Sequence, residues 1–114
     1  VSRLRPEALS ALRADVGEDH ARGFVVCFLA TLESRVGRLS GAVDACDTGE
    51  AYVAALSLHA SAVMVGATDL AETLRCTLAP LRRGDLVPAR AVLGDLPACV
   101  RATSGALTKA VEVA

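Results

Sequence analysis

Apolar residues recur at intervals of three and four along nearly the whole chain, and no segment alternates with a period of two for long enough to make a strand. That spacing restricts the chain to helices that turn one face inward. Arg5 to Val16 reads as a short first helix: Pro6 sits in its first turn, where a missing N–H costs nothing, Leu9 and Leu12 form its apolar face, and it stops before Gly17. A second and longest helix is expected from about Asp19, a candidate N-cap, to about Ala45, with Val25, Phe28, Leu32, Val36, Leu39 and Val43 in one stripe. After Asp47, Thr48 and Gly49, a third runs from about Glu50 to Val65, with Tyr52, Ala55, Leu58, Ala62 and Val65 inward and Gly66 as its C′ residue. Thr68 is expected to cap a fourth, to about Arg83, whose stripe is Leu70, Leu74, Leu78 and Leu81 and whose last turn Pro80 kinks. From about Pro88 to Val111 a fifth carries Leu93, Leu96, Val100, Leu107 and Val111, with Gly94 and Pro97 producing a bend and not a boundary. Short connections make successive helices antiparallel neighbours. The expected fold is all-α: an antiparallel up-down four-helix bundle, with the short first helix capping one end.

The 114 residues are expected to form one domain, 1–114, with no internal repeat or linker. Only 3% of them are aromatic while 53% are hydrophobic, so the core has to be built from Ala, Val and Leu. Twelve Lys and Arg against thirteen Asp and Glu leave a net charge of -1, without the basic excess that phosphate backbones attract. With no Trp, one Tyr and two Phe, stacking platforms for single strands are missing as well, and no nucleic-acid partner is expected. The longest apolar stretches, Gly23 to Leu32 and Ala60 to Ala67, fall short of the roughly 18 residues of a membrane span, so no membrane partner is expected either. No charged segment followed by an apolar one opens the chain, and cytoplasm is the expected compartment. Cys27, Cys46, Cys76 and Cys99 make no Cys-x-x-Cys pair and are expected as reduced core thiols.

Chemistry has few seats. His20 and His59 lie on different helices without a second ligand at helical spacing, so no metal is expected. Phosphate-cradling glycine patterns are absent, and no cofactor is expected. His20, beside Glu18 and Asp19, reads as a surface residue. Arg35, Arg38, Arg82 and Arg83 read as solvated faces or as contacts to an acidic partner.

The third helix is more informative. The segment Ala55-Leu56-Ser57-Leu58-His59-Ala60-Ser61-Ala62-Val63-Met64-Val65-Gly66-Ala67-Thr68-Asp69-Leu70-Ala71 resembles the signature of histidine-containing phosphotransfer (HPt) domains. Without gaps the match covers Ala55, Leu58, Ser61, Ala62, Val65, Gly66, Ala67, Leu70 and Ala71, and Leu81-Arg82-Arg83-Gly84-Asp85-Leu86 resembles the family's basic-Gly-Asp turn. The resemblance implies a four-helix bundle of a two-component phosphorelay, with a response-regulator receiver domain or sensor kinase as partner. It also implies that the phosphoaccepting histidine falls on Leu56, the family's Lys on His59 and its Gly on Ala60. A second frame puts His59 at the acceptor position, but it deletes three residues before Gly66 and sets Ala62 and Val63 where Lys and Gly are expected.

Leu56 cannot be phosphorylated. His59, three residues on, is expected to share the outward face with it, displaced by about 4 to 5 Å along the axis. His59 is therefore a candidate displaced phosphoacceptor, a partner-contacting histidine or a hydrogen-bonded buried one. Leu56, Ala60 and Val63, flanked by Met64, form a second apolar stripe apart from the core stripe. Such a stripe is expected to dock a receiver-like partner or another copy of the chain, unless the first helix covers it. The reading expected here is a docking module without efficient phosphotransfer; the alternative is an active phosphotransfer protein that uses His59.

Overall fold

A computed structural model describes residues 3–113, and the helices it contains are α1 (Pro6–Val16), α2 (Glu18–Asp44), α3 (Thr48–Met64), α4 (Thr68–Arg82), α5 (Val87–Leu93) and α6 (Leu96–Val113). The protein is an antiparallel up-down bundle of α2, α3, α4 and α6, with α1 laid against α2 and α3 at one end. At 1.5 Å per residue the 27 residues of α2 span about 40 Å, which accounts for the 41 Å long dimension of the molecule.

One helix boundary differs from the periodic reading. The apolar pattern continues through Pro88 to Val111, yet the chain turns at Gly94 and Asp95 and divides into α5 and α6. Pro97 is the cause: it has no N–H for the carbonyl four residues back, and its ring crowds that carbonyl, which belongs to Leu93, the last residue of α5. Pro80, by contrast, lies inside α4, which runs on to Arg82.

The core is a seam of Leu, Val and Ala. Leu32 and Leu39 of α2, Leu58 of α3, Leu70 and Leu74 of α4, and Leu96 and Leu107 of α6 are almost wholly excluded from water. Each such Leu contributes about 1.5–3 kcal/mol by burial. On α3 the buried positions are Ala51, Ala54, Ala55, Leu58 and Ala62, so this helix approaches its neighbours with methyl groups and a single large side chain. Tyr52, expected inward, is only half-buried: the Arg82 guanidinium of α4 lies 5.9 Å from its ring centroid, an arrangement that keeps the ring at the boundary. Two threonines, Thr77 and Thr103, take core positions, and the Thr77 hydroxyl donates to the Leu74 carbonyl one turn back at 2.7 Å. Among the described residues no buried side-chain nitrogen or oxygen is left without a partner.

The cysteines are free thiols, as expected, but they are not core residues: Cys27, Cys46 and Cys76 are exposed and Cys99 is half-buried. Cys27 and Cys76 fall on the solvent sides of α2 and α4, and Cys46 lies in the turn after α2, outside the buried stripes. Burial pushes the Cys99 thiol above the ordinary range, partly offset by a hydrogen bond with Thr103.

Helix ends also differ from the sequence reading. α2 begins at Glu18, with Gly17 at φ +88° as its cap in place of Asp19. α3 is capped by the Asp47 carboxylate, which accepts from the Glu50 N–H at 3.0 Å. Thr68 does not cap α4. One orphan N–H there is met by an extended segment from the start of the chain: Thr68 N–H donates to the Arg3 carbonyl at 3.2 Å, and the segment's own Arg5 N–H donates to the Gly66 carbonyl at 2.8 Å. Leu4 pairs with Ala67 as an isolated antiparallel bridge. Asp69 completes the fastening, accepting from the Arg3 backbone N–H at 2.8 Å and from its Nε at 2.7 Å.

These bonds hold the Asp69 carboxyl below its ordinary value of 3.8, the Arg3 backbone N–H being the larger cause and its guanidinium the next. A depressed folded-state pKa stabilises the fold fully above the unfolded value and loses that contribution as pH falls through the folded one. Asp69→Asn is therefore expected to lower unfolding stability by about 1 kcal/mol at pH 7. Urea titrations of the two proteins should converge as pH drops below the ordinary carboxylate value; a gap that persists to the lowest pH would show that the carboxylate's charge is not what matters.

Candidate functional site

α3 has two apolar faces because its inward face needs only small residues and its outward face carries large ones. Val53 (52% exposed), Leu56 (41%), Val63 (50%) and Met64 (46%) stand out among the chain's exposed large hydrophobic residues, and Ala60 lies exposed between them. At 100° per residue, Val53, Leu56, Ala60 and Val63 fall within one quarter of the helix circumference, opposite Leu58 and Ala62. The stripe expected from the sequence is therefore present and open. α1 does not cover it. Ala8, Ala11, Leu12 and Asp15 line, with Val63 and Met64, a shallow depression at the C-terminal end of the face.

Both flanks carry polar groups. On the α2 side, Arg35 reaches across to α3, where its Nη2 donates to Ser57 Oγ at 2.9 Å and to Ser61 Oγ at 3.2 Å. Ser57 and Ser61, one turn apart, directly follow Leu56 and Ala60 in the chain, so the guanidinium lies along the edge of the stripe. Arg38, one turn further along α2, is paired with the Glu50 carboxylate. Of the four arginines singled out from the sequence, Arg38 is thus neutralised, Arg82 lies over Tyr52 and Arg83 is exposed, whereas Arg35 is tethered by two neutral hydroxyls.

On the α4 side stands His59. It shares the neighbourhood of Leu56 but not its outward direction: the ring is half-buried and leans toward α4, where Nδ1 lies 2.9 Å from the Ala71 carbonyl oxygen. A carbonyl only accepts, so the bond requires a proton on Nδ1, and in the neutral ring Nε2 is the nitrogen with a lone pair. The offset follows from helix geometry, since three residues advance 300° and leave His59 some 60° round from Leu56. His20 is exposed near the start of α2, away from these groups. Among the described residues no group of three His, Cys, Asp or Glu side chains is placed to hold a metal ion, and no helix is long and apolar enough to cross a membrane.

An outward α3 face between two flanking helices, in a bundle capped by a short N-terminal helix, is an architecture found in a solved structure. The crystal structure of histidine-containing phosphotransfer protein B from Pseudomonas aeruginosa PAO1 superimposes with a TM-score of 0.85, over 97% of this chain and 96% of that one. This chain has an HPt-like fold. Sequence identity across the match is 22%, so the likeness is one of fold. No family model matches the chain, and no curated protein matches it in sequence. What the HPt-like bundle displays at the position where the sequence resemblance sets the phosphoaccepting histidine is the exposed side chain of Leu56.

Proposed function

We propose that the chain, as a single module over residues 1–114, is a two-component signalling protein. In this reading it docks a response-regulator receiver domain, or a sensor kinase, through Leu56, Ala60, Val63 and Met64 of α3 without transferring phosphate. The observation that carries the reading is the exposure of Leu56 in an HPt-like fold. A leucine offers no lone pair to a phosphoryl group, while four apolar side chains half in water, contiguous on one helix, are the kind of surface that a protein partner buries. A second copy of the chain is the other occupant of this face, and the cytoplasm, where receivers reside, is the compartment that fits.

One observation favours a second reading, in which His59 is a relocated acceptor. With Nδ1 fixed by the Ala71 carbonyl, Nε2 is the free nucleophilic nitrogen. It could attack the phosphorus of an aspartyl phosphate, forming a P–N bond as the P–O bond breaks and the carboxylate leaves. The ring's half-burial against α4 opposes an in-line approach, which needs the reacting atoms about 3–3.5 Å apart.

Phosphoryl transfer from acetyl-phosphate-charged receiver domains to the wild-type chain and to His59→Asn separates the two. The expected result is no label on either protein and retention of a receiver in a pull-down. An acid-labile, base-stable label on wild type that vanishes in His59→Asn would establish the relocated acceptor instead.

A further inference from the structure

The apolar stripe accounts for contact but not for the cation fixed along its edge. Arg35 is half-buried, and Nη2 is committed to Ser57 and Ser61. A guanidinium has five N–H donors in a planar fork, and those on Nε and Nη1 have no acceptor among the described residues. Among the described residues no carboxylate lies within ion-pair distance of it, although Arg38, one turn away, has Glu50. An arginine that serves only as a solvated surface charge has no need of two hydroxyl tethers from a neighbouring helix. Tethering fixes the plane of the guanidinium and its outward edge, which lowers the entropy lost when it pairs with an oxyanion.

We infer that Arg35, positioned by Ser57 and Ser61, is an oxyanion-reading site that takes the phosphoryl group of a phosphorylated receiver docked on the α3 face. This rests on the docking reading above and adds a preference to it. The partner's edge must be anionic where it meets Arg35, and a phosphoryl group supplies both the charge and the paired oxygens that suit the guanidinium fork. Leu56, on the same helix, supplies no nucleophile, so the phosphoryl group is held and not transferred. The docked state then reports the phosphorylation of the partner. The apolar stripe contributes contact common to both forms of the receiver, and Arg35 contributes the difference between them.

Two measurements test the site and the docking reading separately. In the first, inorganic phosphate is titrated into the chain while the Arg35 guanidinium resonance is followed by NMR, assigned by its loss in Arg35→Gln, with chloride at matched ionic strength as reference. A saturable shift with phosphate, weakened in Ser57→Ala/Ser61→Ala, is expected; the same drift with phosphate and chloride would overturn the oxyanion site. In the second, receiver domains with and without beryllofluoride are titrated against wild type and Arg35→Gln. The charged receiver is expected to bind wild type roughly tenfold or more tightly than the uncharged one. That preference should disappear in Arg35→Gln, with binding of the uncharged form nearly unchanged. Equal affinity for both forms in wild type, or a preference that survives Arg35→Gln, would overturn the inference while leaving docking intact. If no receiver binds wild type in either form, the docking reading fails and the phosphorylation preference with it, whereas the oxyanion site stands or falls on the phosphate titration.

Discussion

Gly66→Ala is expected to destabilise the protein by about 3 kcal/mol or more, a large share of the stability of a domain of this size. Gly66 has φ +74°, a conformation that costs an L-residue about 1–2 kcal/mol by itself. Here the added methyl has nowhere to go: a Cβ would stand 2.6 Å from the Arg5 carbonyl oxygen and 3.0 Å from the Ala8 Cβ. The obstacle is backbone, so relief requires the segment at Leu4 and Arg5 to lift away. With it would go the Arg5 N–H to Gly66 carbonyl bond, the Leu4–Ala67 bridge and the cover on the Thr68 N–H. Gly84→Ala provides the comparison, since Gly84 has φ +81° but nothing within 4 Å of an added Cβ. Urea unfolding should show a loss of about 1–2 kcal/mol at Gly84, the conformational cost alone. Equal losses at the two glycines would mean that the close approach at Gly66 carries no energy.

Leu56→Asp is expected to weaken receiver binding by about a hundredfold or more while leaving the bundle folded. The side chain is 41% exposed and lies outside the core cluster, so the change costs the isolated protein little, and circular dichroism should be unaltered. In a docked complex the same position is expected to be buried at the centre of the stripe, where a charge set among apolar side chains costs several times what an apolar truncation does. Val87→Asp, at a more exposed apolar residue on α5 away from the α3 face, should bind as wild type does. If instead Leu56→Asp binds a receiver normally but turns a dimer into a monomer on a sizing column, the face belongs to a second copy of the chain.

Much of this molecule could be read from its amino-acid order, for a physical reason. Helical periodicity is local, and it placed the α2 stripe, the end of α3 at Gly66 and the outward line of Leu56, Ala60, Val63 and Met64, all of which the structure bears out. The division between α5 and α6 was equally local, being written in Pro97, but a continuing apolar pattern concealed it. The fastening of Arg3 to Asp69 could not be read, because nothing in the spacing of two residues 66 positions apart announces that they meet. The same holds for the bonds from Arg35 to Ser57 and Ser61, which depend on how α2 and α3 are rotated about their axes. For His59, spacing gave the neighbourhood but not the direction. A rotation of some 60° about the helix axis separates an open surface from the carbonyl of Ala71.

The segment bound across the α3–α4 turn also bears on the order in which the chain assembles. α3 and α4 are joined by three residues and can pair as soon as both are helical, whereas Arg3 reaches Asp69 only by closing a loop of most of the chain. That closure gains nothing until the turn it clasps exists, so it is expected to form late, after the rate-limiting barrier to folding. Interactions absent from the transition state govern how fast a native protein comes apart and leave the speed of its formation nearly untouched. On that expectation the clasp at Gly66 is a latch on lifetime: loosening it should shorten the time the bundle, once made, stays closed, and leave its rate of formation nearly unchanged.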